Sequence, residues 1–225
     1  IREVATCYTN FPHQVVPRLV YISNATELGS IYTLQELKDL YHLCQELNLL
    51  LYIDGARLAH ALNASGNDIT WEDLARYTDA FYIGATKNGA IMGEAIVLNN
   101  PELQLGFEYH IKQKGALLAK GRFLGIQFLE LFQNNLFNEL ALHANAQAKR
   151  IQDAFIEKGV HFLSHTPTNQ VFPILTNEQV ALLQKQFDFY IWKKVDETHT
   201  AIRLITSWAT KSENVDTIIN VIKKL

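Results

Sequence analysis

The sequence predicts an α/β fold with a mostly parallel sheet, followed by a smaller α+β domain. Short apolar runs alternate with amphipathic helical segments in the first part of the chain, which is typical of a parallel sheet covered by helices on both faces. From Pro101 to about Lys158 the periodicity is helical almost throughout. Strand-like and helical segments then mix again. We therefore assign residues 1–135 to the larger domain and residues 136–225 to the smaller one.

The elements of the larger domain follow from short local signals. Thr33 and Glu36 have the spacing of a capping box, which predicts a helix beginning at Leu34, and Thr70 with Asp73 repeats that spacing. Apolar, β-branched and aromatic runs predict the strands. The predicted strands are 19–23, 49–53 and 79–83, and the predicted helices are 34–47 and one from about residue 70 to 77.

The smaller domain shows four strand-like runs and two amphipathic helical segments. The predicted strands are 160–163, 170–175, 189–192 and 201–205, and the helices are 177–186 and 213–224. This mixture, without a βαβ alternation, predicts an α+β unit packed on the larger domain.

Composition excludes several classes of protein. A formal charge of −3 and a pI near 6.3, without a basic cluster, argue against nucleic-acid binding. No apolar run is long enough to span a bilayer and no signal peptide opens the chain, so we expect a cytoplasmic protein without membrane contact. Cys7 and Cys44 are too few for a disulfide scaffold, and no residues have convincing metal-ligand spacing, so we predict no metal.

Two charged residues follow neighbouring predicted strands. Asp54 comes directly after the run "LLLYI", and Lys87 follows "FYIG" with glycines close by. Because the carboxyl ends of parallel strands meet at one edge of a sheet, both side chains should emerge there and could contact one bound molecule. An amine beside a strand-end carboxylate suits pyridoxal phosphate: the lysine bonds to its aldehyde and the carboxylate keeps its pyridine nitrogen protonated.

Two simpler interpretations compete with this one. Asp54 and Arg57 could form a structural ion pair at a turn, and Lys87 could be an ordinary loop lysine, since a lone lysine among glycines is a weak signal.

A family resemblance strengthens the cofactor hypothesis. The segments "YIDGARLAHAL" and "DAFYIGATKNGAIMGEAIVL" resemble the threonine aldolase and β-eliminating lyase group of fold-type I pyridoxal-phosphate enzymes, and "LVYISNATELGSIYTLQEL" looks like the strand, turn and helix that precede that motif. The resemblance covers most of residues 15–130 and implies an aspartate aminotransferase-like fold. It also implies Asp54 on the pyridine nitrogen, Lys87 as the Schiff-base lysine and Arg57 near the cofactor and the substrate carboxylate.

The resemblance implies further binding residues. Lys120 or Arg122, in "KQKGALLAKGRFLG", occupies the place of a basic residue that meets the cofactor phosphate, sometimes in a neighbouring subunit. Arg203, in "AIRLITSWAT", matches an arginine that binds the substrate carboxylate, a task that suits its planar fork. Surface positions on a helix or a strand are the alternatives for all three.

The resemblance leads to a specific expectation of function. We expect the carboxyl-terminal two-thirds of a homodimeric or homotetrameric lyase that cleaves β-hydroxy-α-amino acids, converting threonine to glycine and acetaldehyde, with the amino-terminal part of the family fold lying outside this sequence. Another pyridoxal-phosphate enzyme, either a β-eliminating lyase or an aminotransferase, is the alternative. A catalytically silent homologue or assembly subunit is a second one.

Overall fold

A computed structural model describes residues 1–7 and 12–225 of the chain. Its first part contains, in chain order, α1 (Arg2–Thr6), β1 (Leu19–Ser23), α2 (Leu34–Glu46), β2 (Leu50–Asp54), α3 (Leu58–Leu62), α4 (Trp71–Arg76), β3 (Ala80–Gly84) and β4 (Glu94–Leu98). Four helices follow: α5 (Pro101–Gln104), α6 (Phe107–Gln113), α7 (Arg122–Phe132) and α8 (Leu136–Glu157). The last part contains β5 (Gln170–Val171), β6 (Ile174–Thr176), α9 (Asn177–Leu183), β7 (Tyr190–Lys194), β8 (His199–Ile205) and α10 (Ser212–Ile222).

The larger sheet has the order β1-β2-β3-β4. The first three strands are parallel, as predicted, and their register sets Ser23 beside Asp54. The fourth strand is antiparallel to β3, pairing Gly84 with Glu94, and sequence analysis missed it. The glycine-rich connection that carries Lys87 is therefore a short return between two adjacent strands.

Local signals explain the helices and the core of this sheet. Both predicted capping boxes form, at the start of α2 and of α4, where each threonine accepts a hydrogen bond from the backbone N–H three residues on. Leu37 and Cys44 of α2 are completely buried against Leu51 and Ile53 of β2. Cys44 is thus a core residue, as its position on the apolar helical face indicates.

The smaller sheet is antiparallel, with β8 pairing β5, β6 and β7. The predicted strand 170–175 is in fact two short strands, because Pro173 between them has no N–H to donate to a ladder. The predicted strand 160–163 is wrong: this segment forms only an isolated bridge from Phe162 to Pro173.

The longest helix joins the two cores. Phe137 and Ala141, near the start of α8, pack in a cluster with Ala59 and Ala85 of the larger domain. Residues from Ala148 onward pack against the smaller sheet and α10. The proposed division at residue 135 stays a prediction, and α8 is a structural part of both sides of it.

The segment before α8 leaves much apolar surface uncovered. It is helical as predicted, but glycines with positive φ, Gly106 and Gly115, separate its pieces. Only Leu131 of α7 is buried, and the exposed large apolar side chains of this segment are Leu105, Tyr109, Leu117, Leu118, Phe123, Ile126, Leu129 and Phe132. Every helix within the described ranges is too short or too polar to cross a bilayer.

Candidate active site

Asp54 and Lys87 lie at one edge of the larger sheet, as the strand order requires. Asp54 is the last residue of β2, and Lys87 is in the single 3₁₀ turn that follows β3. Both line a cavity of about 160 Å³ to which residues of both sheets contribute. The other residues lining this cavity are Ser23, Ala25, Thr26, Glu27, Ala56, Arg57, Gln170, Trp192 and Arg203.

Two glycines allow the turn after β2 to approach β3 closely. A Cβ atom on Gly55 would lie 1.7 Å from the carbonyl oxygen of Tyr82, and one on Gly84 would lie 2.7 Å from the Cα of Ala56. Both distances are far below van der Waals contact. The backbone contact that holds Asp54 next to the end of β3 therefore depends on hydrogen at both positions.

Hydrogen bonds from three groups hold the Asp54 carboxylate. The hydroxyl of Tyr21 donates to Oδ2, while the hydroxyl of Tyr82 and the backbone N–H of Ala56, 2.9 Å away, donate to Oδ1. Burial acts to raise the pKa of Asp54, but the hydrogen bonds from Tyr21, Tyr82 and Ala56 and the charge of Lys87 together outweigh it, so the pKa lies below its ordinary value. Asp54 therefore remains an anion at neutral pH.

The Asp54–Arg57 ion pair considered from the sequence is wrong. Within the described part of the chain, Arg57 makes no salt bridge, and the ion pairs present involve Arg2, Lys149, Arg150 and His199. The tyrosine hydroxyls and a backbone N–H take the place of the guanidinium on the carboxylate, which leaves Arg57 free to face the cavity.

The amine of Lys87 is less basic than that of a free lysine. Its side chain is open to solvent in the cavity, yet the surrounding protein removes part of its hydration, which lowers the pKa, and the positive charge of Arg57 lowers it further. Asp54 and Glu94 act in the opposite direction, although they do not cancel the shift. A lowered pKa raises the fraction of neutral, nucleophilic amine.

The two arginines make the cavity a site for an anion. Burial, with Arg203 nearby, lowers the pKa of Arg57 to about 10, and burial also lowers the pKa of Arg203. In the described residues neither guanidinium has a carboxylate partner. Two partly buried cations without an anion fit a ligand that carries a carboxylate or a phenolate.

Lys120 and Arg122 do not join this group. Both are exposed, Lys120 just before α7 and Arg122 at its start, and neither lines the cavity with Lys87. A role for either in this site stays a prediction and would require a second chain.

Sequence reasoning did not identify the four side chains that contact Asp54 and Arg203. Tyr21 and Tyr82 are far from Asp54 in sequence, and only the strand register brings their hydroxyls to it. Gln170 was assigned only to a strand. Trp192 lies at the irregularity in β7, between Ile191 and Lys193, and its ring lies 5.2 Å from the guanidinium carbon of Arg203. The sequence Asp54–Arg57, "DGAR", indicates the location of the site, but it does not predict which side chains contact Asp54 and Arg203.

Buried polar atoms without partners also occur near the site. Asn24 is buried between the lining residues Ser23 and Ala25, and neither atom of its side-chain amide has a hydrogen-bond partner within the described residues. Burial and the charges of Arg57 and Lys87 lower the pKa of the buried His60 to about 3, so this imidazole is neutral. No group of three or more metal-ligating side chains occurs in the described ranges.

Comparison with known proteins supplies a family and relatives. The model of the β-eliminating lyase family matches residues 2–178. A low specificity L-threonine aldolase from Pseudomonas sp. (strain NCIMB 10558) is 34% identical over 220 residues, which are 96% of this chain and 61% of that protein. The enzyme of the same name from Pseudomonas aeruginosa is 33% identical over the same share of each chain. The present chain thus spans about three fifths of the length of these relatives.

Solved structures agree with the predicted fold. A threonine aldolase from Leishmania major superposes with a TM-score of 0.93 at 44% identity, covering 96% of this chain and 63% of that one. An aspartate aminotransferase from Thermus thermophilus, at 16% identity and a TM-score of 0.67 over 92% of this chain and 56% of that one, shares the fold alone. The predicted aspartate aminotransferase-like fold of fold-type I pyridoxal-phosphate enzymes is therefore confirmed.

Proposed function

Because this chain belongs to the β-eliminating lyase family, we propose that its protein is a pyridoxal-phosphate-dependent lyase that cleaves β-hydroxy-α-amino acids. Threonine, which would give glycine and acetaldehyde, is the proposed substrate. The observation that carries this proposal is the single cavity that contains Asp54, Lys87, Arg57 and Arg203. The names of the relatives from Pseudomonas and Leishmania support the choice of substrate.

The residues in the cavity suit the predicted cofactor. Lys87 offers an amine of lowered pKa, and Asp54 offers a carboxylate that the tyrosines keep ionised. Pyridoxal phosphate, when bound, supplies an electron sink that weakens a bond at the substrate α-carbon.

Each side chain then has a defined task. Asp54 would keep the pyridine nitrogen of the cofactor protonated, because the low pKa of its carboxyl group leaves it an anion. Lys87 anchors the cofactor and can accept and return a proton at Nζ, because its pKa is lowered toward neutrality. Arg57 and Arg203 bind the carboxylate of the amino acid and orient it against the amine.

Product analysis tests the proposed reaction. Full-length protein supplied with pyridoxal phosphate and L-threonine should release glycine and acetaldehyde in equal amounts, measured by amino-acid analysis and by coupling acetaldehyde to an alcohol dehydrogenase. Release of ammonia and a keto acid would instead identify a β-eliminating lyase. Transfer of the amino group to an added keto acid would identify an aminotransferase, and absence of any product would favour the silent homologue.

The proposal includes a second copy of the chain as partner. Many large apolar side chains around α6 and α7 are exposed, and clusters of exposed apolar residues typically mark interfaces. The cavity of about 520 Å³ beside α7, which Ile126, Leu136 and Trp208 help to line, extends this apolar surface. A homodimer or dimer of dimers packed through this region would bring Lys120 and Arg122 toward a neighbouring cavity. We further propose that the protein is cytoplasmic.

Mixed assemblies test whether two chains share the site. We expect a Lys87→Ala chain and a Lys120→Ala, Arg122→Ala chain each to be nearly inactive, and mixtures to regain activity, because one cavity in a mixed dimer keeps all three residues. Rate assays with sedimentation analysis provide the measurement. A Lys112→Ala, Lys114→Ala chain, altered at exposed lysines nearby, is the matched control and should be active alone. Mixed dimers that form without any return of activity would exclude the shared site.

A further inference from the structure

The side chain of Gln170 connects the two domains at the cavity. It is completely buried at the start of β5, where its backbone pairs with Ile205 of β8. Its Oε1 accepts hydrogen bonds from Nε of Arg203, at 3.0 Å, and from Nη2 of the same guanidinium. Its Nε2 donates to the backbone carbonyl of Thr26 in the larger domain, at 3.3 Å. One amide thus contacts an arginine of the smaller domain and a turn of the larger one.

The turn that Gln170 reaches is itself well ordered by hydrogen bonds. Thr26 receives the backbone N–H of Gly29 and donates its own N–H to Ser30, both at 2.9 Å. A second side chain of the smaller domain, Thr168, donates to the carbonyl of Gly29 at 3.0 Å. Thr26 and its neighbour Glu27 also line the cavity. The hydrogen bonds of Gln170 therefore fix the position of Arg203 relative to this part of the cavity wall.

Trp192 contacts the guanidinium of Arg203 on another side. Arg203 projects from the face of β8 opposite Ile202 and Leu204, which are buried in the smaller core. The irregularity between Ile191 and Lys193 in β7 leaves Trp192 as an extra residue, and a bulge of this kind re-aims a side chain. The Trp192 ring lies 5.2 Å from the guanidinium carbon, within range of a cation–π interaction. Gln170 occupies the Nε side, so the Nη1 side remains for a ligand.

An amide is the group that can do this without cancelling the charge. A glutamate at the same position would form an ion pair with Arg203 and compete with a ligand carboxylate. Its second oxygen would also face the carbonyl oxygen of Thr26, and two acceptors repel each other. A leucine would fill the space but orient nothing. Glutamine alone of these three holds the guanidinium and leaves its positive charge available.

We propose that Gln170 is a positioning residue for carboxylate recognition: it orients the guanidinium of Arg203 and fastens it to the Thr26 turn. The inference rests on the proposed function in that the ligand is an amino acid. It goes further by making substrate affinity depend on the contact between the domains. Arg203 faces Asp54 and Lys87 only while Gln170 keeps its hydrogen bonds to both Arg203 and Thr26.

Three variants of the full-length protein separate this role from simple packing. Gln170→Glu neutralises the guanidinium, Gln170→Leu removes the bridge without adding charge, and Gln184→Glu is the matched control, an identical change on an exposed residue. Two ligands are compared, L-threonine and 1-amino-2-propanol, which is the same amine and hydroxyl without the carboxylate. Affinities are read from the absorption of the bound cofactor, and steady-state assays give KM and kcat separately.

We expect Gln170→Glu to weaken threonine binding about tenfold to hundredfold, as loss of a charge-assisted contact does, with a smaller loss for Gln170→Leu. Affinity for 1-amino-2-propanol should stay within about twofold of the parent, because this ligand has no carboxylate, and the loss for threonine should fall more on KM than on kcat. Gln184→Glu should match the parent throughout. The proposal would be overturned if Gln170→Glu bound threonine as tightly as the parent does. It would also be overturned if the variant lost affinity equally for threonine and for 1-amino-2-propanol.

A measurement that needs no catalysis tests the bridge itself. Backbone amide exchange at Thr26 and Gly29 should be faster in Gln170→Leu than in the parent and unchanged in Gln184→Glu, because the bridge stabilises the turn. Equal exchange in all three chains would contradict the bridge. Failure of the proposed function appears separately, as absence of acetaldehyde from the parent, and the affinity and exchange results then still decide the role of Gln170.

Discussion

Replacing Lys87 by alanine should abolish the activity of the full-length protein while leaving its fold intact. The side chain is exposed in the cavity, so its removal should change the free energy of unfolding by no more than about 0.5 kcal/mol. The rate should fall by at least about 10²- to 10⁴-fold, the range lost when a positioned acid or base is removed. The lowered pKa of Lys87 and its place beside Asp54 are the reasons for this expectation.

The measurement combines labelling with kinetics. Borohydride treatment of the parent protein should fix pyridoxal phosphate covalently to the tryptic peptide that carries Lys87. The same treatment of Lys87→Ala should leave that peptide unlabelled. Lys112→Ala, which alters an exposed lysine of α6, is the control and should be labelled like the parent. Label on a different lysine of the parent would show that Lys87 is an ordinary loop residue.

Replacing Asp54 by asparagine should cost less than the loss of Lys87 but should still dominate catalysis. The asparagine amide is almost the same size as the carboxylate, yet it cannot carry the negative charge that would keep the pyridine nitrogen of the cofactor protonated. A charge-assisted contact of this kind contributes about 2 to 4 kcal/mol, which corresponds to a rate loss of about thirtyfold to a thousandfold. We expect circular dichroism and melting temperature close to those of the parent, and a change in the absorption of the bound cofactor.

A tyrosine variant provides the matched control for Asp54. Tyr82→Phe removes one donor to Oδ1 but keeps the carboxylate, which still accepts from Tyr21 and Ala56. The pKa of Asp54 lies below its ordinary value partly because of Tyr82, so this variant should lose activity at a higher pH than the parent as the pH falls. At neutral pH its activity should be much nearer the parent. An Asp54→Asn chain as active as Tyr82→Phe would mean that Asp54 has only a structural role.

Local and topological rules were sufficient to predict where the main site residues lie. Parallel strands end at one edge of a sheet, so two strand assignments were enough to bring Asp54 and Lys87 together. The capping boxes likewise depend on residues three positions apart, and both form as predicted. These inferences succeed because each depends on a short stretch of sequence or on a rule with few exceptions.

The partners of those residues could not be predicted in the same way. Tyr21 and Tyr82 meet Asp54 from the two neighbouring strands, and the choice of tyrosine over Arg57 as partner depends on side-chain reach within the folded sheet. The antiparallel β4 has a strand signal of its own, the run Glu94–Leu98 between Gly93 and Asn99, but its pairing with β3 depends on the short turn that carries Lys87. Arg203 was placed on a strand correctly, but its contacts with Gln170 and Trp192 come from other strands and a bulge.

Helix α8 packs in both hydrophobic cores, so we expect the stability of one core to depend on the other. Its 22 residues extend over about 33 Å at 1.5 Å per residue, and its first turns complete one hydrophobic core while its later turns complete the other. If either core melts, part of the helix loses its packing, and short unpacked helices are marginal in water. Disorder in one domain is thereby transmitted to the other. We therefore expect the cavity between the two cores to be lost when either core unfolds.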